Sequence, residues 1–261
     1  MCDNRILGKG SDNIVYDFPF DKAIYRTPID PTTNANEQEQ ATILAILTRV
    51  HNEEDRFLLS LPTRPLWTIK LYPRCNGDST KMAQSETPFV QLRLMMMDLL
   101  KGLSLLHRIG YGHFDIKPDN VMYRYDTLRQ RIVYQLADFG HSELIGLPNT
   151  MGYRGTPGYR PKEHEIEEGC DNDVLLSSTA DYHAIAVFIL VMAFGEYRSQ
   201  DQWEEMYPLV DDWKANKPRV RSQLLSRPGW TPKIVDAVLK GLSDTPDRRT
   251  TVEKYLELFG K

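Results

Sequence analysis

The chain has 261 residues, 41% of them hydrophobic and 26% charged, a size and balance that suit one two-lobed domain or two closely packed subdomains and exclude wholesale disorder. The net charge is -4, and acidic and basic residues are interspersed, so no basic stripe is available to neutralise a nucleic-acid backbone. The N-terminus, MCDNRILGKG, reads as neither a secretory leader nor a myristoylation site. After it come short alternating runs, ILGKG, NIVYDF and KAIYRT, separated by turn residues, which predict a three-stranded meander. ANEQEQATILAILTRV predicts one helix, capped at Thr33 or Asn34, with Ile43, Leu44 and Leu47 on its apolar face. FLLSLP and WTIKLYP return to strand-like composition, and PRCNGDS ends the sheet-rich part.

From about Pro88 the periodicity is helical. FVQLRLMMMDLLKGLSLLHRIG predicts a long helix that stops at Gly110. A strand pair, NVMYRY and IVYQLAD, follows. Further helices are expected at Tyr182 to Phe194, Gln202 to Met206, Pro232 to Leu242 and Thr251 to Phe259. The longest apolar run, Ala184 to Phe194, is too short to span a bilayer. Cys2, Cys75 and Cys170 form no C-x-x-C pair and no disulfide framework. A soluble, cytoplasmic protein is expected, acting inside a host cell if its source is a virus or parasite. The histidines do not fall at zinc-ligand spacing.

The chemistry is concentrated in His113-Phe114-Asp115-Ile116-Lys117-Pro118-Asp119-Asn120, followed after the strand pair by Asp138-Phe139-Gly140. These segments resemble the H-R-D-L-K-x-x-N catalytic loop and D-F-G motif of eukaryotic-type protein kinases. The resemblance implies an α+β, bilobal protein kinase-like fold in a single domain: a small β-rich N-lobe with one helix over about residues 1–73, a hinge at about 72–78, and a larger α-helical C-lobe over about 79–261. It implies ATP and Mg²⁺ as cofactors and phosphorylation of serine or threonine hydroxyls. Asp115 would orient the acceptor hydroxyl and take its proton, Lys117 would reach the γ-phosphate, and Asn120 and Asp138 would supply hard oxygen ligands to the metal. Lys117 within the loop is the serine/threonine type of signature.

The same resemblance extends along the chain. Gly155-Thr156-Pro157-Gly158-Tyr159-Arg160-Pro161-Lys162-Glu163 is similar to the end of an activation segment, so Thr156 would bond Asp115 and Lys117, and Glu163 would pair with Arg249, with Arg248 as a competitor. Asp181 resembles the aspartate that binds the catalytic-loop amides. Gly8-Lys9-Gly10-Ser11-Asp12-Asn13-Ile14-Val15 resembles the phosphate-covering loop, which assigns Gly8, Gly10 and Val15 to the nucleotide together with Asp78, Met122 and Asp138. Arg26 stands where the family has lysine, with Lys22 as a substitute, and the helix phase puts Gln40, not Glu39, opposite it. Leu71 would be the gatekeeper. Phe114 replaces the usual arginine, which implies weak dependence on phosphorylation at Thr150 or Tyr153. The partners implied are a protein substrate and ATP, with a regulatory partner protein as a further candidate, and neither nucleic acid nor a membrane. Arg26 and Gln40 keep a nucleotide-binding scaffold open as an alternative, and transfer of AMP to protein is another.

Overall fold

The computed structural model describes residues 6–9, 13–18, 23–28, 34–50, 59–62, 64–65, 70–149, 154–165 and 174–261; before residue 39, at residue 40 and at 64–65 and 70–73 the description is of the backbone alone. The expected meander is present. Strands β1 (Ile6–Lys9), β2 (Asn13–Phe18) and β3 (Ala23–Pro28) pair antiparallel, and β5 (Lys70–Pro73) adds to β3 with β4 (Arg64–Pro65) beyond it, giving a sheet in the order β1-β2-β3-β5-β4. FLLSLP forms no strand where it is described: Leu59 makes a single parallel bridge to Leu136, and residues 57 and 58 lie outside the described residues.

Helix α1 (Asn34–Arg49) corrects the expected phase. Its buried face carries Glu39, Thr42, Ile43 and Ile46, continued by Val50 beyond the helix end, whereas Leu44 is 45% exposed and Leu47 is only partly covered. Positions 39, 43, 46 and 50 follow the helical repeat as well as 43, 44 and 47 do, and the first set spans more turns. The acidic residue on the inward face is therefore Glu39, 4% exposed; the side chain of Gln40 lies outside the description.

The larger lobe is built round two helices. Helix α3 (Phe89–Arg108), which follows the short α2 (Thr80–Ala83), buries Leu92, Met95, Met96, Leu99, Leu103 and Leu106 along one face. Helix α4 (Ser178–Phe194) is buried on nearly every side, starts at Ser177, whose hydroxyl accepts from the Thr179 amide, and ends at Gly195 with φ +70°. A Cβ on Gly195 would lie 2.7 Å from the Ser85 backbone, so glycine is required twice over, for the left-handed turn and for the close approach.

Three helices were not read from the sequence: the short α2, α5 (Met206–Ala215) and α6 (Lys217–Leu225), and the helix expected at Gln202 to Met206 is instead a 3-10 turn over Gln200–Glu205 that leads into α5. Helices α7 (Pro232–Gly241) and α8 (Val252–Phe259) close the lobe. Strands β8 (Val121–Asp126) and β9 (Arg131–Leu136) form a hairpin, extended by β6 (Gly77–Asp78), and β7 (Tyr111–Gly112) pairs with β10 (Glu143–Leu144). The smaller lobe is tied to this frame by the Ser60 amide on Leu136 O at 2.6 Å and by Ile43, Ile46, Leu59 and Leu61 in the shared core. Among the described residues no helix is long and apolar enough to cross a membrane.

Candidate active site

The loop His113 to Asn120 is held from below by Asp181, in the first turn of α4. Its carboxylate accepts the amides of His113 at 2.9 Å and Phe114 at 2.7 Å, and His107 Nε2 contacts it at 2.8 Å. Burial opposes its charge, but the His107 hydrogen bond, His107 and His113 and the loop amide outweigh it and lower its pKa. Phe114 is held at φ +63°, a conformation costly for a non-glycine residue. The two loop amides on Asp181 and the packing of its ring among Leu176, Ala180 and Ile145 fix it there. The His113 ring is fully buried, which pushes its pKa down. Its Nδ1 accepts from the Asp115 amide at 3.3 Å while Nε2 lies 3.1 Å from Ala137 O, the pattern of a neutral imidazole protonated at Nε2. The ring also packs on Phe139, centroids 5.4 Å apart.

Four of the expected site residues meet above this platform. Asp115 Oδ1 accepts from the Thr156 amide at 2.9 Å and the Thr156 hydroxyl at 2.6 Å. Asp115 Oδ2 accepts from Asn120 Nδ2 at 2.9 Å and faces Lys117 Nζ at 3.2 Å. Lys117 Nζ in turn donates to Thr156 Oγ1 at 2.6 Å. Burial works against the Asp115 charge, yet Lys117, His141 and the Thr156 hydrogen bond hold its carboxyl down at about 2. Asn120 also donates to Asp115 O at 2.8 Å, and its backbone carbonyl accepts the Ala137 amide at 2.9 Å, which sets Asp138 beside the cluster.

Asp138, like Phe114, has φ +63°, and its Oδ1 accepts the Gly140 amide at 3.3 Å. Among the described residues no group of three or more His, Cys, Asp or Glu could hold a metal ion. A divalent ion here would draw on the Asn120 amide oxygen and the Asp138 carboxylate, and on phosphate and water for the rest, a ligand set that Mg²⁺ accepts. The amide fits that use, because its nitrogen is committed to Asp115 and its oxygen is the remaining ligating atom.

The residues expected at the nucleotide fall into two register rows. Val15 is the strand partner of both Gly8 and Arg26, and Arg26 is also the partner of Lys70; the side chains of Val15, Arg26 and Leu71 lie outside the description, and Gly10 and Lys22 lie outside the described residues altogether. Asp78 and Met122 are partners across β6 and β8, and Asp78 Oδ1 accepts the Thr80 amide at 3.0 Å just ahead of α2. Glu163 pairs with Arg249, not with Arg248. Thr150 and Tyr153 lie outside the described residues.

Sequence reasoning missed two features of this site. Tyr197 Oη donates to Asp119 Oδ1 at 2.8 Å, and Trp203 lies with its ring centroid 4.1 Å from Lys117 Nζ. Both belong to the stretch after α4, where no motif marks either residue for the site.

Residues 69–258 match the family model described as protein kinase domain. The chain is 28% identical over 169 residues to serine/threonine-protein kinase Kist of Homo sapiens, covering 61% of this chain and 38% of that protein. It is 28% identical over 169 residues to a serine/threonine-protein kinase of Drosophila persimilis, covering 65% of this chain and 21% of the relative. A probable myosin light chain kinase of Dictyostelium discoideum is 30% identical over 114 residues, 42% of this chain and 35% of that one. The match therefore spans well under half the length of each of these relatives.

Proposed function

Since the chain belongs to the eukaryotic-type protein kinase family, we propose that it transfers the γ-phosphate of ATP to serine or threonine hydroxyls of protein substrates. The observation that carries this reading is the hydrogen-bonded cluster of Asp115, Lys117, Asn120 and Thr156 beside Asp138. Phosphoryl transfer depends on positioning and charge stabilisation more than on covalent chemistry, and this cluster supplies both from buried groups.

In this reading Asp115, ionised at neutral pH, orients the acceptor hydroxyl and takes its proton. The new P–O bond forms at the acceptor oxygen as the bond to the ADP oxygen breaks. Lys117 offers its charge to the transferring phosphate, and Thr156 joins the substrate-docking segment to both residues. Asn120 and Asp138 would hold Mg²⁺, which supplies neutralising charge on the phosphates when bound. Arg26 keeps a cation at the strand position where the family pattern has lysine, and Glu39, on the inward face of α1, is the acidic group on the helix the pattern pairs with it.

Incubation with γ-labelled and α-labelled ATP, Mg²⁺ and a generic protein substrate tests this. Label from the γ position alone, recovered as phosphoserine or phosphothreonine and lost in Asp115→Ala and Asp138→Ala, is expected. Label from the α position would instead mean AMP transfer, and bound nucleotide without label would mean a scaffold.

A further inference from the structure

Lys117 has three N–H donors, and in this structure all have neighbours. Thr156 Oγ1 lies at 2.6 Å, Asp115 Oδ2 at 3.2 Å, and the Trp203 ring centroid at 4.1 Å. Asp115 is equally saturated. Its two oxygens face Thr156 N, Thr156 Oγ1, Asn120 Nδ2 and Lys117 Nζ, which fills the roughly four acceptor sites of a carboxylate. The Lys117 N–H not given to Thr156 or Asp115 faces the Trp203 ring, which therefore stands where a transferring phosphate would meet the cation.

The neighbour free to yield is Trp203. Asp115 and Thr156 are buried, whereas Trp203 sits in the 3-10 turn Gln200–Glu205, which has no buried residue. Its Nε1 is nevertheless shut from solvent without a hydrogen-bond partner. The cation holds the ring in place while the unpaired donor favours release into water, and the two effects are of the same order. Such a balance makes the contact easy to switch.

Resting on the phosphotransfer reading of this site, we propose that Trp203 is a gating residue of the phosphoacceptor position. It covers Lys117 in the resting protein and leaves when nucleotide and acceptor arrive. The uncovered Lys117 N–H is then open to the transferring phosphate, while its contacts with Thr156 and Asp115 are kept.

Acrylamide quenching of tryptophan emission tests the contact without reference to catalysis. Trp203 is one of four tryptophans, and its emission is isolated by subtracting Trp203→Phe. Lys117→Met should make it more quenchable, and so should Mg²⁺-ATP with an acceptor peptide added to the wild type. In kinetics, Trp203→Leu should lower the KM for acceptor on the order of threefold, with a smaller change in kcat; Trp203→Phe, which keeps a ring face, should stay near the wild type. Quenching unchanged by Lys117→Met and by ligands, or a raised KM in Trp203→Leu, would overturn the gate. Quenching that rises with ligands while no label is transferred supports the gate and counts against the phosphotransfer reading alone.

Discussion

Arg249 and Glu163, 86 residues apart, form a bidentate ion pair with Nη2 to Oε2 at 2.9 Å, and the arginine side chain is only 1% exposed. The same guanidinium donates to Ser243 O at 2.8 Å and Thr179 O at 3.0 Å. One buried cation thus ties the end of the Gly155 to Glu163 segment to the start of α4, the helix that carries Asp181.

Removing the carboxylate would strand that charge, and removing the cation would strand two carbonyls besides. Arg249→Ala is expected to lower the unfolding free energy by about 3–5 kcal/mol, read from denaturant midpoints at constant slope. Glu163→Ala should cost less, because its side chain is 23% exposed and water can reach the pair from that side. Equal, small effects from both variants would contradict this account.

Asp181 accepts two consecutive loop amides, so Asp181→Asn keeps only one acceptor atom and turns the other into a donor facing N–H groups. We expect a loss of about 2 kcal/mol in stability. We also expect a fall of at least about tenfold in kcat, because the loop carrying Asp115 and Lys117 loses its fixed height. Stopped assays at saturating ATP, with melting curves on the same samples, separate the two effects.

Phe114 is buried among Leu176, Ala180 and Ile145, with the Arg154 guanidinium 5.8 Å from its ring and His164 at 5.7 Å. An apolar contact occupies the place where an arginine would await a phosphate. Replacing Thr150 and Tyr153 by Ala and Phe together should leave kcat/KM within about threefold of the wild type. Phe114→Arg, which would place a second buried cation beside Arg154, should destabilise by about 3 kcal/mol or more.

The Asp115 carboxyl stands at about 2 in the folded chain against an ordinary 3.8. Folding therefore favours its charged form, and the stability it contributes is complete above the ordinary value and is lost as pH falls from about 4 through about 2. The difference in unfolding free energy between wild type and Asp115→Asn should be flat from about pH 5 to 7 and shrink below about pH 4, by about 2 kcal/mol in all. A difference that instead changed between pH 5 and 7 would mean that Asp115 titrates there.

The contacts of the His113 to Asn120 loop with Thr156 and Asp181 were legible because each of these residues stands in a segment that resembles the protein kinase pattern, which carries the long-range pairing that spacing alone does not. The phase of α1 was not. Its sequence carries both Leu44 and Glu39, and only the packing of Ile46 and Val50 against the larger lobe decides which of them turns inward. Helices α5 and α6 escaped notice because Pro208 and Pro218 lie in their first turns and their apolar residues, Met206, Val210, Trp213, Val220 and Leu224, are thinly spread. The Trp203 contact with Lys117 is a tertiary relationship that no spacing records. The same holds for the bidentate pair of Arg131 with the buried Asp98, at 2.6 and 2.7 Å, which locks β9 to α3.

The central claim is that Asp115 and Asp138 serve one reaction centre, and a double-mutant comparison of single-turnover phosphorylation rates tests it most directly. Residues that act as a unit are grossly non-additive. We predict that Asp115→Ala and Asp138→Ala each lower the rate by about a thousandfold or more, and that the double variant is scarcely slower than the worse single. A double variant whose loss equals the product of the two single losses would show two groups acting independently and would contradict the account.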